Sequence, residues 1–157
     1  MTIEPPFLMR GPLENEKMHP RKRSRVRREM PAPSLLGSEK IMAFVATQAP
    51  AKAKVFYRDT LGLRLISEDA VALVFDAHGI FLRVSIVEKV APAPYTVLGW
   101  QVENVVATAK ALQKAGGKIE RYQGMVQDEL GVWTALSGAR VAWFKDRDGN
   151  TLSITEL

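Results

Sequence analysis

Cysteine is absent and only two histidines occur, His19 and His78, so thiolate chemistry is excluded and imidazole chemistry is confined to two distant positions. No disulfide framework and no zinc site with Cys/His spacing can form. No nucleophile stands with a base in a triad-like context, and no glycine-rich loop is built to cradle a phosphate. The chemistry left is that of isolated handles in apolar surroundings. Arg83 lies in the apolar run 80–87 and could grip a carboxylate or phosphate through charge-assisted hydrogen bonds. Trp133 and Trp143 could stack on a planar ligand, or serve only as packing. Gln101 could fix an amide or hydroxyl, or satisfy a backbone group. Tyr122 and Asp128 could donate protons at a rim.

The net charge of +5 is unevenly placed. Residues 1–38 hold eight Lys/Arg against four Glu, and residues 39–157 hold fourteen basic against thirteen acidic side chains. The basicity centres on Arg21, Lys22, Arg23, Arg25, Arg27 and Arg28. Such a run could meet nucleic acid through phosphate contacts. Its prolines, missing apolar period and missing aromatic residues favour a disordered arginine-rich leader over residues 1–38, or a true start at Met30 or Met42. No apolar run is long enough to span a bilayer and no signal-peptide pattern is present. The expectation is a cytoplasmic protein with no membrane partner and no nucleic-acid partner except through residues 21–28.

The elements that must position the handles come in two copies. At an offset of 55, Met42 falls on Val97, Val45 on Trp100, Ala49 on Asn104 and Gly62 on Gly117; at an offset of 70, Asp76-Ala77-His78-Gly79 falls on Asp146-Arg147-Asp148-Gly149 and Arg83 on Ser153. Such self-similarity marks a repeated supersecondary unit whose copies bury their apolar faces together. In the first copy a strand over 41–47 leads to Pro50, which suits a first helical turn, and Ala53, Phe56, Tyr57 and Thr60 recur at helical spacing before Gly62. Strands are expected over 63–68, 71–76 and 80–87. Residues 88–95, with Pro92 and Pro94, read as a connector.

In the second copy a strand over 96–102, an N-cap at Asn104 and a helix ending at Gly116-Gly117 precede strands over 118–122, 139–145 and 150–155. An insertion over 123–138, with an extra strand over 132–136, is expected to form a lid or rim. The fold class is α+β: two βαβββ modules, 40–87 and 96–157, in one domain over 39–157.

Phe56-Tyr57, Thr60-Leu61-Gly62-Leu63 and Phe144-Lys145-Asp146-Arg147-Asp148-Gly149-Asn150, placed in such a duplication, resemble the vicinal oxygen chelate superfamily. This superfamily includes glyoxalase I, bleomycin-resistance proteins, extradiol dioxygenases and fosfomycin-resistance enzymes. The resemblance covers residues 40–157 and implies two mixed sheets curled into a cup, homodimerisation, and a divalent metal held by His, Gln or Glu at four matching strand positions. Carried onto this chain, those positions are Met42, Arg83, Val97 and Ser153, none of which is a usual metal ligand. No metal or other cofactor is therefore expected.

Strand alternation places Met42, Phe44 and Ala46, Phe81, Arg83 and Ser85, Val97, Gly99 and Gln101, and Thr151 and Ser153 on the cup face. Phe44, Arg83, Gln101, Trp133, Trp143 and Ser153 are the candidate ligand-binding residues. Arg83 could instead pair with an acidic side chain of its own or a neighbouring subunit, or reach the rim. The expected function is metal-free binding of a small neutral or anionic organic molecule. The alternative is a metal-dependent lyase or dioxygenase with non-standard ligands. Catalytic residues are not identifiable from the sequence.

Overall fold

Residues 35–157 are described by the computed structural model, and residues 1–34, with His19 and the 21–28 basic run, lie outside the described residues. Ser38–Leu157 forms one unit. Its first module runs β1 (Met42–Thr47), α1 (Pro50–Val55), β2 (Arg64–Glu68), β3 (Ala72–Ala77) and β4 (Ile80–Ile86). The second runs β5 (Thr96–Gln101), α2 (Val105–Lys114), β6 (Trp133–Thr134), β7 (Arg140–Lys145) and β8 (Thr151–Glu156). The sheets have the same order, β1-β4-β3-β2 and β5-β8-β7-β6. In each, the first strand lies parallel to the last and the others are antiparallel. The duplication is thus a repeated βαβββ topology.

Pleating decides which residues face the helices. Val45 and Thr47 on β1, Leu82 and Val84 on β4, and Leu152 and Ile154 on β8 are buried beneath the helices, while Met42, Phe44 and Phe81 turn to the other face and stay exposed. Pro50 occupies the first turn of α1, where its missing N–H leaves no bond unmade. The helix does not stop at Val55: it widens over Phe56–Thr60 into a π-type turn, with Leu61 N–H donating to Phe56 C=O. This turn accompanies the burial of the adjacent rings Phe56 and Tyr57. In α2 the Asn104 side chain accepts from Ala107 N–H at 2.8 Å, the cap the sequence predicts.

One core serves both modules. Phe144 of β7 lies 6.4 Å from Phe56 and 6.3 Å from Trp100, ring centre to ring centre, and Tyr57 lies 5.6 Å from Phe75. Burying each such side chain contributes about 1.5–3 kcal/mol. The two modules therefore pair within this chain across their helix-covered faces.

The turn 146–150 joins the modules with polar contacts. Asp146 accepts the Tyr57 hydroxyl at 2.8 Å, Asn150 Nδ2 at 2.7 Å and the N–H groups of Asp148 and Asn150 at 2.9 Å. Asp148 accepts the Thr47 hydroxyl and Gln48 N–H, and Asn150 Nδ2 also donates to Ala46 C=O at 2.9 Å. The end of β1 is thereby fastened to the start of β8. Burial first, and then the Asp146 charge, drive the Tyr57 phenol far above its ordinary pKa. The matching turn of the first module makes its polar contacts within its own module: Asp76 accepts from Gly79 N–H and pairs with Arg64.

The second module corrects one expectation. Residues 118–122 form no full strand; only Ile119 bridges to Phe144, with Glu120 N–H donating to Trp143 C=O at 2.7 Å. The short β6 then pairs with β7 at Trp133↔Val141 and Thr134↔Arg140. The expected extra strand over 132–136 is thus the outer strand of the sheet, and the excursion is spliced into that edge strand instead of following it. Polar side chains hold the excursion. Gln127 Nε2 donates to the carbonyls of Glu120 and Gly131, and Asp128 Oδ1 accepts from the N–H groups of Leu130 and Val132. Asp128, expected as a rim proton donor, is a turn former here.

Candidate functional site on the helix-free face

The helix-free face of the first sheet sets Met42, Phe44, Val74 and Phe81 around Arg83, with the Arg64–Asp76 ion pair towards its edge. Arg83 stands on β4 between Phe44 of β1 and Val74 of β3 in the strand register. It is half-buried and, among the described residues, has no hydrogen-bond or ion-pair partner. Its charge reaches Asp69, whose carboxyl is held below its usual range first by the N–H groups of Val71 and Ala72 and lastly by Arg83.

The second sheet carries an aromatic cluster. Trp143 lies 6.1 Å from Trp133 and 5.7 Å from Tyr122, the latter edge-on. Its indole N–H donates to Thr96 Oγ1 at 3.0 Å, which fixes the ring against the first residue of β5. Burial raises the pKa of the Tyr122 phenol, the charge of Glu120 adds to this, and a hydrogen bond with Thr151 works against it. Beside this cluster is a cavity of about 550 Å³. Its walls are residues 92–96 of the connector and β5, Tyr122 and Met125 of the excursion, Trp143 and Lys145 of β7, and Gly149 and Thr151.

The remaining candidates separate. Ser153 is buried beside Gly99, so closely that a Cβ at Gly99 would stand 2.6 Å from the Ser153 hydroxyl. Gln101, at the far end of β5, lines a different, apolar hollow of about 490 Å³ with Leu61, Leu63, Trp100 and Leu112. The structure therefore brings Trp133 to Trp143 and Phe44 to Arg83, and it does not gather all six candidates around one point. Tyr95, Thr96, Met125 and Lys145 were not among the candidates. Period-two alternation along β7 already puts Lys145 on the face of Trp143, whereas the walling by residues 92–95 follows from chain path and leaves no local sequence signal.

Side-chain chemistry bears on a metal as well. The four strand positions carry Met42, Arg83, Val97 and Ser153, and among the described residues no three His, Cys, Asp or Glu side chains converge as a ligand set. A divalent ion of the kind the fold family implies does not fit the donors present.

The sequence model of the Glyoxalase/Bleomycin resistance protein/Dioxygenase superfamily matches residues 40–154, and the chain belongs to this superfamily. Solved structures place it in the same fold. A lactoylglutathione lyase from Agrobacterium tumefaciens is 14% identical with a TM-score of 0.58, over 75% of this chain and 93% of that one. A genomically encoded fosfomycin resistance protein from Listeria monocytogenes is 12% identical with a TM-score of 0.62, over 76% and 93%. A glyoxalase/bleomycin resistance protein/dioxygenase from Alicyclobacillus acidocaldarius is 14% identical with a TM-score of 0.56, over 76% and 91%. No curated protein matches the sequence. Likeness at these identities extends to the fold and not to a reaction.

Proposed function

We propose that this member of the superfamily binds a small neutral or anionic organic molecule on its helix-free face without a metal ion. The observation that carries the reading is the cavity beneath the connector, with aromatic walls, one lysine and no acidic side chain lining it. Its volume falls within the range of ordinary small-molecule sites. The donor set at the family's metal positions points the same way, since two apolar residues, a serine and an arginine offer a divalent cation no favourable coordination. Arg83 stands on the first sheet and does not line this cavity. We also propose that the protein is a homodimer, with the exposed Met42, Phe44 and Phe81 in the contact, which light scattering on the purified chain would test.

A thermal-shift screen of the full chain against divalent metals and small organic acids tests the main reading. Stabilisation by one or more organic molecules in the presence of chelator supports it. Stabilisation by a metal alone, with one equivalent retained after purification, would replace it with a metalloprotein.

A further inference from the structure

The geometry points to a planar aromatic carboxylate as the occupant of the cavity beside Trp143, its ring against the indole and its carboxylate on the Lys145 ammonium and the Tyr122 hydroxyl. This rests on the reading above and narrows it to one ligand class and one of the two sheets. Three features carry it. Trp143 is fixed before any ligand arrives, because its N–H is already bonded to Thr96 and its ring is braced by Tyr122 and Trp133. A ring held in this way offers an apolar face at little ordering cost, and its polar edge is not available to the ligand.

Lys145 supplies the sign. It lines the cavity and, among the described residues, has no ion-pair partner. None of the lining residues is Asp or Glu, and the charge of Glu120 is felt at the Tyr122 phenol. Tyr122 supplies direction. Its side chain lines the cavity, and burial raises the pKa of its phenol, so the group keeps its proton at neutral pH and can donate into the cavity. Two donors beside an aromatic wall suit an acceptor-rich, planar anion. A cation would meet the Lys145 ammonium with no lining carboxylate to offset it, and a neutral arene would leave the ammonium without a partner.

The test titrates the full-length protein with 1-naphthoate, its neutral isostere 1-naphthamide and the non-aromatic cyclohexanecarboxylate, by calorimetry and by quenching of tryptophan fluorescence. Variants are Lys145→Met, Tyr122→Phe and Arg83→Met, each checked for native circular dichroism. The expected result is one naphthoate site per chain, weakened about tenfold by Lys145→Met, more modestly by Tyr122→Phe, and not by Arg83→Met. Naphthamide affinity should be lower and unchanged by Lys145→Met, and cyclohexanecarboxylate should bind more weakly than naphthoate. Equal binding of naphthoate and naphthamide, both insensitive to Lys145→Met, would overturn the carboxylate assignment and leave a small-molecule site in place. Loss on Arg83→Met alone would overturn the location by moving the site to the first sheet. If none of the three compounds binds, this inference falls; if no molecule in the wider screen binds either, the reading beneath it falls too.

Discussion

Tyr57 shows how one hydroxyl can join two halves of a molecule. Its O–H reaches from the first module's helix to the Asp146 carboxylate of the second, in a setting where Tyr57 is fully buried and Asp146 nearly so. Replacing it with Phe keeps the ring packing but removes a donor from a buried carboxylate, and should destabilise the fold by about 1–3 kcal/mol in denaturant titration. The pH dependence follows from the sign of the shift. The folded-state phenol titrates above its ordinary value of about 10, so its stabilisation is complete below that pH and declines as pH rises, because the unfolded chain loses the proton first. Melting temperatures from pH 8 to pH 11 should therefore fall more steeply for the native chain than for Tyr57→Phe, and parallel curves would contradict this. Arg83 behaves differently: no partner within the described residues holds it, so Arg83→Ala should leave the melting temperature nearly unchanged. A collapse of the fold would mean that its role is structural.

At the scale of elements, strands and helices were legible where periodicity and punctuation agree. Pro50 and Gly62 bracket the first helix, Asn104 caps the second, and alternation along β1, β4 and β7 gives the buried faces directly, whereas β8 is buried on both. The edge strand of the second sheet was only partly legible: the strand expected over 132–136 is present as Trp133–Thr134, but the pairing it shares with a lone bridge at Ile119 displays no period. Gly131 holds that excursion in place. It adopts φ +85°, and a Cβ there would lie 2.5 Å from Ile119 Cγ2. Gly131→Ala should cost about 1–3 kcal/mol, and hydrogen exchange should quicken at Val132 before the central strands respond. Unaltered exchange would show that the excursion is not anchored at this point.

For the molecule as a whole, the fold was readable because duplication repeats every signal, while the site was only partly so. Trp143 and Arg83 stand out by residue type, but their separation onto two sheets, and the way the connector walls one of them, depend on how the modules meet. The turn 146–150 was recognised as a signature of the fold, and the structure supplies its physical reason: it is the polar clamp that sets one module against the other. Asp148→Ala, which removes the acceptor for Thr47 and Gln48, should lower the melting temperature and loosen β1 without altering the tryptophan cluster.

The most direct test of metal-free binding is calorimetric titration of 1-naphthoate into the full-length protein before and after exhaustive dialysis against chelator. An unchanged dissociation constant and stoichiometry are predicted. Binding that vanishes on dialysis and returns with one equivalent of a divalent ion would contradict the account.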